Sequence, residues 1–96
     1  MQFLAVLRRK TEDFSDAQFA PLLETEAEVA RTLHAGGRIR QIWGRTDVPG
    51  AAMMIEAESL AEVQVMLDEL PLVHAKMLEV QIIGLRAYRG FAPKNS

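Results

Sequence analysis

The chain has 96 residues, 49% of them apolar, and a formal net charge of −2. That length suits a single domain and that apolar fraction a globular one, while the near-balanced charge leaves no electrostatic footprint for nucleic acid. Cysteine is absent, which excludes disulfides, thiolate zinc sites and cysteine nucleophiles. The two histidines, His34 and His74, stand far apart with no ligand-like spacing around them, so no metal is expected. Met1–Leu7 is too short for a signal-peptide core, and no apolar run reaches the length of a membrane span. The expectation is a cytoplasmic protein with no membrane partner.

Gln2 to Arg9 reads as the first strand. Phe3, Ala5 and Leu7 share one face and Leu4 and Val6 the other, the pattern of a central strand. Ser15 with Gln18 three residues on is a capping-box signal. Phe19, Leu22, Leu23, Ala30 and Leu33 then follow helical spacing, and Gly36-Gly37 ends the helix. Arg38 to Thr46 is a second strand, with Ile39, Gln41, Trp43 and Arg45 on one face and Arg40, Ile42 and Gly44 on the other. Asp47-Val48-Pro49-Gly50 is a turn, and Ala51 to Ala57 a third strand closing a hairpin. Ser59 and Glu62 form a second capping box, opening a helix through Leu60, Val63, Met66, Leu67 and Leu70 that Pro71 stops. A loop holding His74 leads to a final apolar strand over Lys76–Tyr88.

The order β-α-β-β-α-β defines an α+β, ferredoxin-like sandwich with an antiparallel sheet, here over residues 1–89, followed by a loose tail over 90–96. Both helices cover one face of the sheet. The other face would be bare in a monomer, yet every strand but the second reads as apolar on both sides. A chain this short also has a marginal core unless it associates. A second copy is therefore expected to cover the bare face, giving a homodimer or higher homo-oligomer whose sheets close toward an α/β barrel.

Glu26 is the residue with the clearest chemical implication. It falls inside the apolar arc of Phe19, Leu22, Leu23, Val29, Ala30 and Leu33, while Glu24, Glu28 and Arg31 point away. A desolvated carboxylate has a raised pKa, as a general base near neutrality requires. The other reading is a wet arc in which Glu26 reaches solvent or pairs with an arginine. Trp43, beside Gln41 and Arg45, reads either as a pocket wall or as a core side chain. Arg38, Arg40 and Arg45 offer guanidinium groups for a substrate carboxylate, or charge that protects an edge strand. His74 can exchange a proton near neutral pH, or lie on the surface. Arg8-Arg9-Lys10 reads as a solvated strand end.

The run Gly37-Arg38-Ile39-Arg40-Gln41-Ile42-Trp43, with Ser59, Leu70-Pro71-Leu72 and Glu79-Val80 at their spacings, resembles the muconolactone isomerase family. That family pairs a Gly-Lys-Trp-x-His-x-Trp type strand with a later Leu-Pro-Leu and an Ile-Glu-Val strand. The resemblance implies a dimeric α/β barrel that assembles further. It also implies a cofactor-free shift of a double bond in a small unsaturated lactone acid, in the catabolism of aromatic compounds. In those terms Glu26 falls on a family glutamate and would be the proton shuttle, and Arg40 or Arg45 would hold the substrate's acid group. The chain departs from the family pattern at Leu23, where the family has a helix lysine, and at Gln41, where it has a histidine. It departs again at Pro49-Gly50-Ala51, in place of Tyr-Ala-Asn, and at Val73-His74-Ala75, in place of Phe-Pro-Tyr. Two other functions suit the same fold: a cofactor-free monooxygenase acting through a substrate carbanion, and a non-catalytic protein that binds a small molecule.

Overall fold

The first strand, β1 (Gln2–Arg9), occupies the middle of the sheet in the computed structural model, which describes residues 1–91. It pairs antiparallel with β3 (Gly50–Glu56) on one side and with β4 (Leu78–Leu85) on the other; β2 (Ile39–Gly44) adds to the outer edge of β3. The order β2-β3-β1-β4 is that of an α+β, ferredoxin-like sheet in which both crossovers pass over one face. Phe3, Ala5 and Leu7 of β1 are buried on that face, together with Met53 and Ile55 of β3.

The long helix α1 (Asp16–Ala35) lies on this face. At its start Gln18 Oε1 accepts from Ser15 N at 2.8 Å, while Gln18 N donates to the Ser15 carbonyl at 3.0 Å. Its end is set by Gly37, whose φ of 80° is the left-handed conformation that glycine adopts without steric cost. Phe19 and Leu33 are its fully buried side chains. Each such side chain contributes about 1.5–3 kcal/mol by leaving water.

Several details depart from the sequence expectation. The second helix is not continuous to Leu70. It splits into α2 (Leu60–Leu67), capped by Ser59 Oγ accepting from Glu62 N at 3.2 Å, and a single turn, α3 (Pro71–His74). Pro71 opens this turn, where its missing N–H and fixed φ are compatible with a helix start. The expected loop around His74 is therefore helical. The final strand is shorter than Lys76–Tyr88 and runs Leu78–Leu85; Lys76 sits at φ 60° just after α3 and turns the chain into it.

A further departure is a bulge in β2. Ile39 pairs with Ile55 and Gln41 with Met54, so Arg40 is the extra residue. The bulge reverses the alternation. Ile39 and Ile42 both lie on the helix side, while Gln41 and Trp43 face the open side with Met54 and Ala52. The open face is also less uniformly apolar than expected, because β4 places Glu79 and Gln81 there beside Ile83 and Leu85. Of the tail expected over 90–96, Gly90 and Phe91 belong to a 3-10 turn (Arg89–Phe91), and residues 92–96 lie outside the described ones. Among the described residues no helix is long and apolar enough to cross a membrane.

Candidate active site

Between α1 and the sheet lies a cavity of about 270 Å³. Leu7 and Met53 come from the sheet, Ala27 and Ala30 from α1, and Leu70 and Leu72 from the α2–α3 corner. Leu23 and Ile42, both substantially exposed, also line it. The volume lies near the lower end of the usual range for small-molecule sites. Two charged side chains reach this apolar space: Glu26 from α1 and Arg9 from the end of β1.

The helical register brings Glu26 there. It lies one turn beyond Leu22 and two beyond Phe19, on the ridge that packs toward the sheet. Its carboxylate is half-buried, and Oε1 accepts one hydrogen bond, from Leu72 N at 2.9 Å. Leu72 is the second residue of α3, so its N–H has no acceptor within that turn and is free to point outward. The split of the second helix at Pro71 thus supplies the group that orients Glu26. Burial pushes the Glu26 carboxyl above its ordinary pKa, while the Leu72 N–H and the charge of Arg9 pull it partly back. Among the described residues no cation forms an ion pair with it. A carboxylate held by one donor beside an apolar cavity has the form of a general base.

The other residues singled out in the sequence do not join Glu26 within one chain. Arg40 is exposed at the bulge and, with Gln41, lines a separate depression beside Gln2, Met54 and Glu56. Trp43 is 47% exposed on the open sheet face. Arg45 is committed to the β2–β3 turn: Nε and Nη2 grip Asp47 at 3.0 and 2.7 Å, and Nη1 reaches the Leu7 carbonyl at 3.5 Å. That pairing lowers the Asp47 carboxyl to about 2. His74 ends α3 on the surface, its Nδ1 3.2 Å from Asp68 Oδ2. Among the described residues no cluster of three His, Asp or Glu side chains could hold a metal ion.

The sequence places Arg9 with Arg8 and Lys10 in a solvated strand end, whereas the structure sets it against the cavity. Its signal was nevertheless in the strand alternation, since it follows Phe3, Ala5 and Leu7 on the same face. The neighbouring Arg8, on the other face, explains the misreading: it is neutralised by Glu12 and Glu79 at 2.9 and 3.2 Å, as a solvated strand end would be.

A four-stranded antiparallel sheet backed by helices, with a carboxylate and a guanidinium on an apolar cavity between the layers, defines a small α+β protein of the ferredoxin-like kind. Residues 1–90 match the muconolactone delta-isomerase family, and the chain belongs to that family. The crystal structure of muconolactone isomerase at 3.3 Å resolution superposes with a TM-score of 0.77 at 21% identity, covering 93% of this chain and 92% of that one. The 5-chloro-2-hydroxyhydroquinone dehydrochlorinase of Burkholderia phenoliruptrix AC1100, in complex with 2,5-dihydroxybenzoquinone, superposes with a TM-score of 0.68 at 16% identity, covering 94% and 98%. At these identities the likeness is one of fold. No curated protein matches the chain.

Proposed function

We propose that this protein is a cofactor-free isomerase that moves a carbon–carbon double bond within a small unsaturated lactone or a related anionic catabolite. Glu26 carries the proton. The ionised carboxylate removes a proton from the saturated carbon beside the conjugated system, and the electron pair delocalises into the unsaturated carbonyl as a dienolate. The resulting carboxylic acid returns the same proton at the other end of that system. The double bond has then moved, Glu26 is ionised again, and atoms and charge balance. The observation that carries the reading is the Glu26 carboxylate at the cavity, with its single hydrogen bond from Leu72 N at 2.9 Å. Family membership and the dehydrochlorinase neighbour support a catabolic role on aromatic-derived compounds. The working form is a homodimer or larger homo-oligomer in the cytoplasm, with the open sheet face covered.

The test is turnover of muconolactone, followed by the absorbance change as the double bond moves. Glu26→Gln keeps an acceptor for Leu72 N but cannot take a proton. Its kcat should fall by roughly 10²–10⁴-fold, the usual weight of a positioned acid–base group. An unchanged rate in that variant, or no turnover of any small unsaturated lactone by the unaltered protein, would overturn the reading.

A further inference from the structure

We infer that Arg9 is the specificity-determining residue of the Glu26 cavity: its guanidinium, rather than that of Arg40 or Arg45, holds the acid group of a small monocarboxylate there. The inference rests on the cavity being the substrate site. It does not depend on which reaction Glu26 catalyses there.

The last residue of β1 is held rigidly. Arg9 N donates to the Pro49 carbonyl at 2.9 Å, and the Arg9 carbonyl accepts from Thr11 N at 2.9 Å and from the Arg8 guanidinium at 3.0 Å. Its guanidinium carbon stands 5.4 Å from the centroid of the Phe19 ring. Phe19 is 1% exposed and itself packed edge-on against Phe14, with ring centroids 6.1 Å apart. A cation placed over a buried aromatic face is attracted to it and loses part of its freedom to swing into solvent. Backbone and head are therefore both positioned.

What the head lacks is a counter-ion. Arg8, Arg31, Arg38 and Arg45 each pair with a carboxylate, whereas Arg40, Arg86 and Arg89 form no ion pair among the described residues but stand outside this cavity. Among the described residues Arg9 has no such partner, although it shares the cavity with Glu26. The two opposite charges face the same apolar space without closing on each other. A planar guanidinium with free donors in that setting matches a carboxylate in two-point geometry. The apolar walls between it and Glu26 suit the carbon skeleton. The arrangement thus fits a molecule with an acid group at one end and an activated C–H at the other.

The experiment measures binding by calorimetry, using paired probes: benzoate and methyl benzoate, muconolactone and its methyl ester. The unaltered protein should bind each acid more tightly than its ester. Arg9→Met, which keeps a long apolar stem over Phe19, should weaken the acids by about 10–100-fold, the weight of a charge-assisted hydrogen-bonded contact, and leave the esters unchanged. Arg9→Lys should retain part of the preference, which guards against a Met variant that fails to fold. Glu26→Gln should keep the acid preference whether or not it abolishes turnover, so failure of the isomerase reading is distinguishable from failure of this one. Equal affinity for acid and ester in the unaltered protein, or equal loss of both in Arg9→Met and Arg9→Lys, would overturn the assignment.

Discussion

Glu26 sits where an ionised group is destabilised, and this has a thermodynamic signature separate from catalysis. Burial raises its pKa in the folded chain above the ordinary value of the unfolded one. The folded state then binds the proton more tightly than the unfolded state does. Stability from this residue is fully present below the unfolded pKa and is lost as pH rises through the folded pKa. Above the folded pKa the unaltered protein carries that loss and Glu26→Gln does not. The variant should therefore gain on the unaltered protein in urea midpoint as pH rises from about 4 through the folded pKa, and hold that gain above it. A difference that is flat across the range would mean that Glu26 is not desolvated. The position of Glu26 was legible because a helix repeats regularly and a carboxylate inside an apolar arc stands out. Arg9 was equally determined by strand alternation, but a run of three basic residues hides which one turns inward. Trp43 was misplaced for a different reason: the bulge at Arg40 shifts the alternation by one, and nothing in the local residue types announces it.

At the scale of elements, the site depends on how closely β3 approaches β1. A Cβ built on Gly50 would overlap the Leu7 carbonyl oxygen and stand 3.1 Å from Arg8 Cα. Both contacts are to backbone, and β1 is fixed on its other side by β4, so neither can yield cheaply. Gly50→Ala should destabilise the fold by about 2–3 kcal/mol, as overpacking does. Because Gly50 also lines the cavity with Leu7, ligand affinity should fall with stability. Gly44, near the end of β2, meets nothing within 4 Å in the same construction. Gly44→Ala should stay within about 0.5 kcal/mol of the unaltered protein. Thermal unfolding of the two variants side by side checks the contrast, and equal effects would sink it. The six principal elements and their order followed from caps, turns and periodicity. The break between α2 and α3 did not, because Leu70 and Leu72 are apolar on either side of Pro71 and their pattern suits a loop or a helical turn equally. Tertiary contacts decide between them, and the Leu72 N–H that orients Glu26 depends on the outcome.

Over the whole molecule, the two sheet faces have unequal cover. The helix-side face is closed by α1 and α2 over a buried core. The open face carries Leu4 and Val6 of β1, Met54 of β3, Trp43 of β2 and Ile83 of β4, interrupted by Gln41, Gln81 and Glu79. Trp43 and Ile83 are 47% and 39% exposed. Exposed apolar side chains gathered on one face of a small domain are the form an interaction face takes, and on that ground the dimer proposal assigns this face to self-pairing. Its mixture with polar groups suits the proposed self-pairing of two like sheets. The dimer proposal therefore places Trp43 and Gln41 between subunits and leaves the Glu26 cavity within each chain. Ile83 is the residue to change, because its exposure in the single chain means that a charge there costs the isolated fold little. Ile83→Asp places two carboxylates per dimer in the covered face, each facing a desolvation cost of several kcal/mol unless paired. Dissociation should strengthen by at least about 10³-fold. Sedimentation at micromolar concentration should find the unaltered protein as a dimer or larger and Ile83→Asp as a folded monomer. If the variant still binds benzoate, the cavity is complete in one chain and assembly serves stability. If the unaltered protein itself sediments as a monomer, the open face is not a self-association surface and the dimer proposal fails.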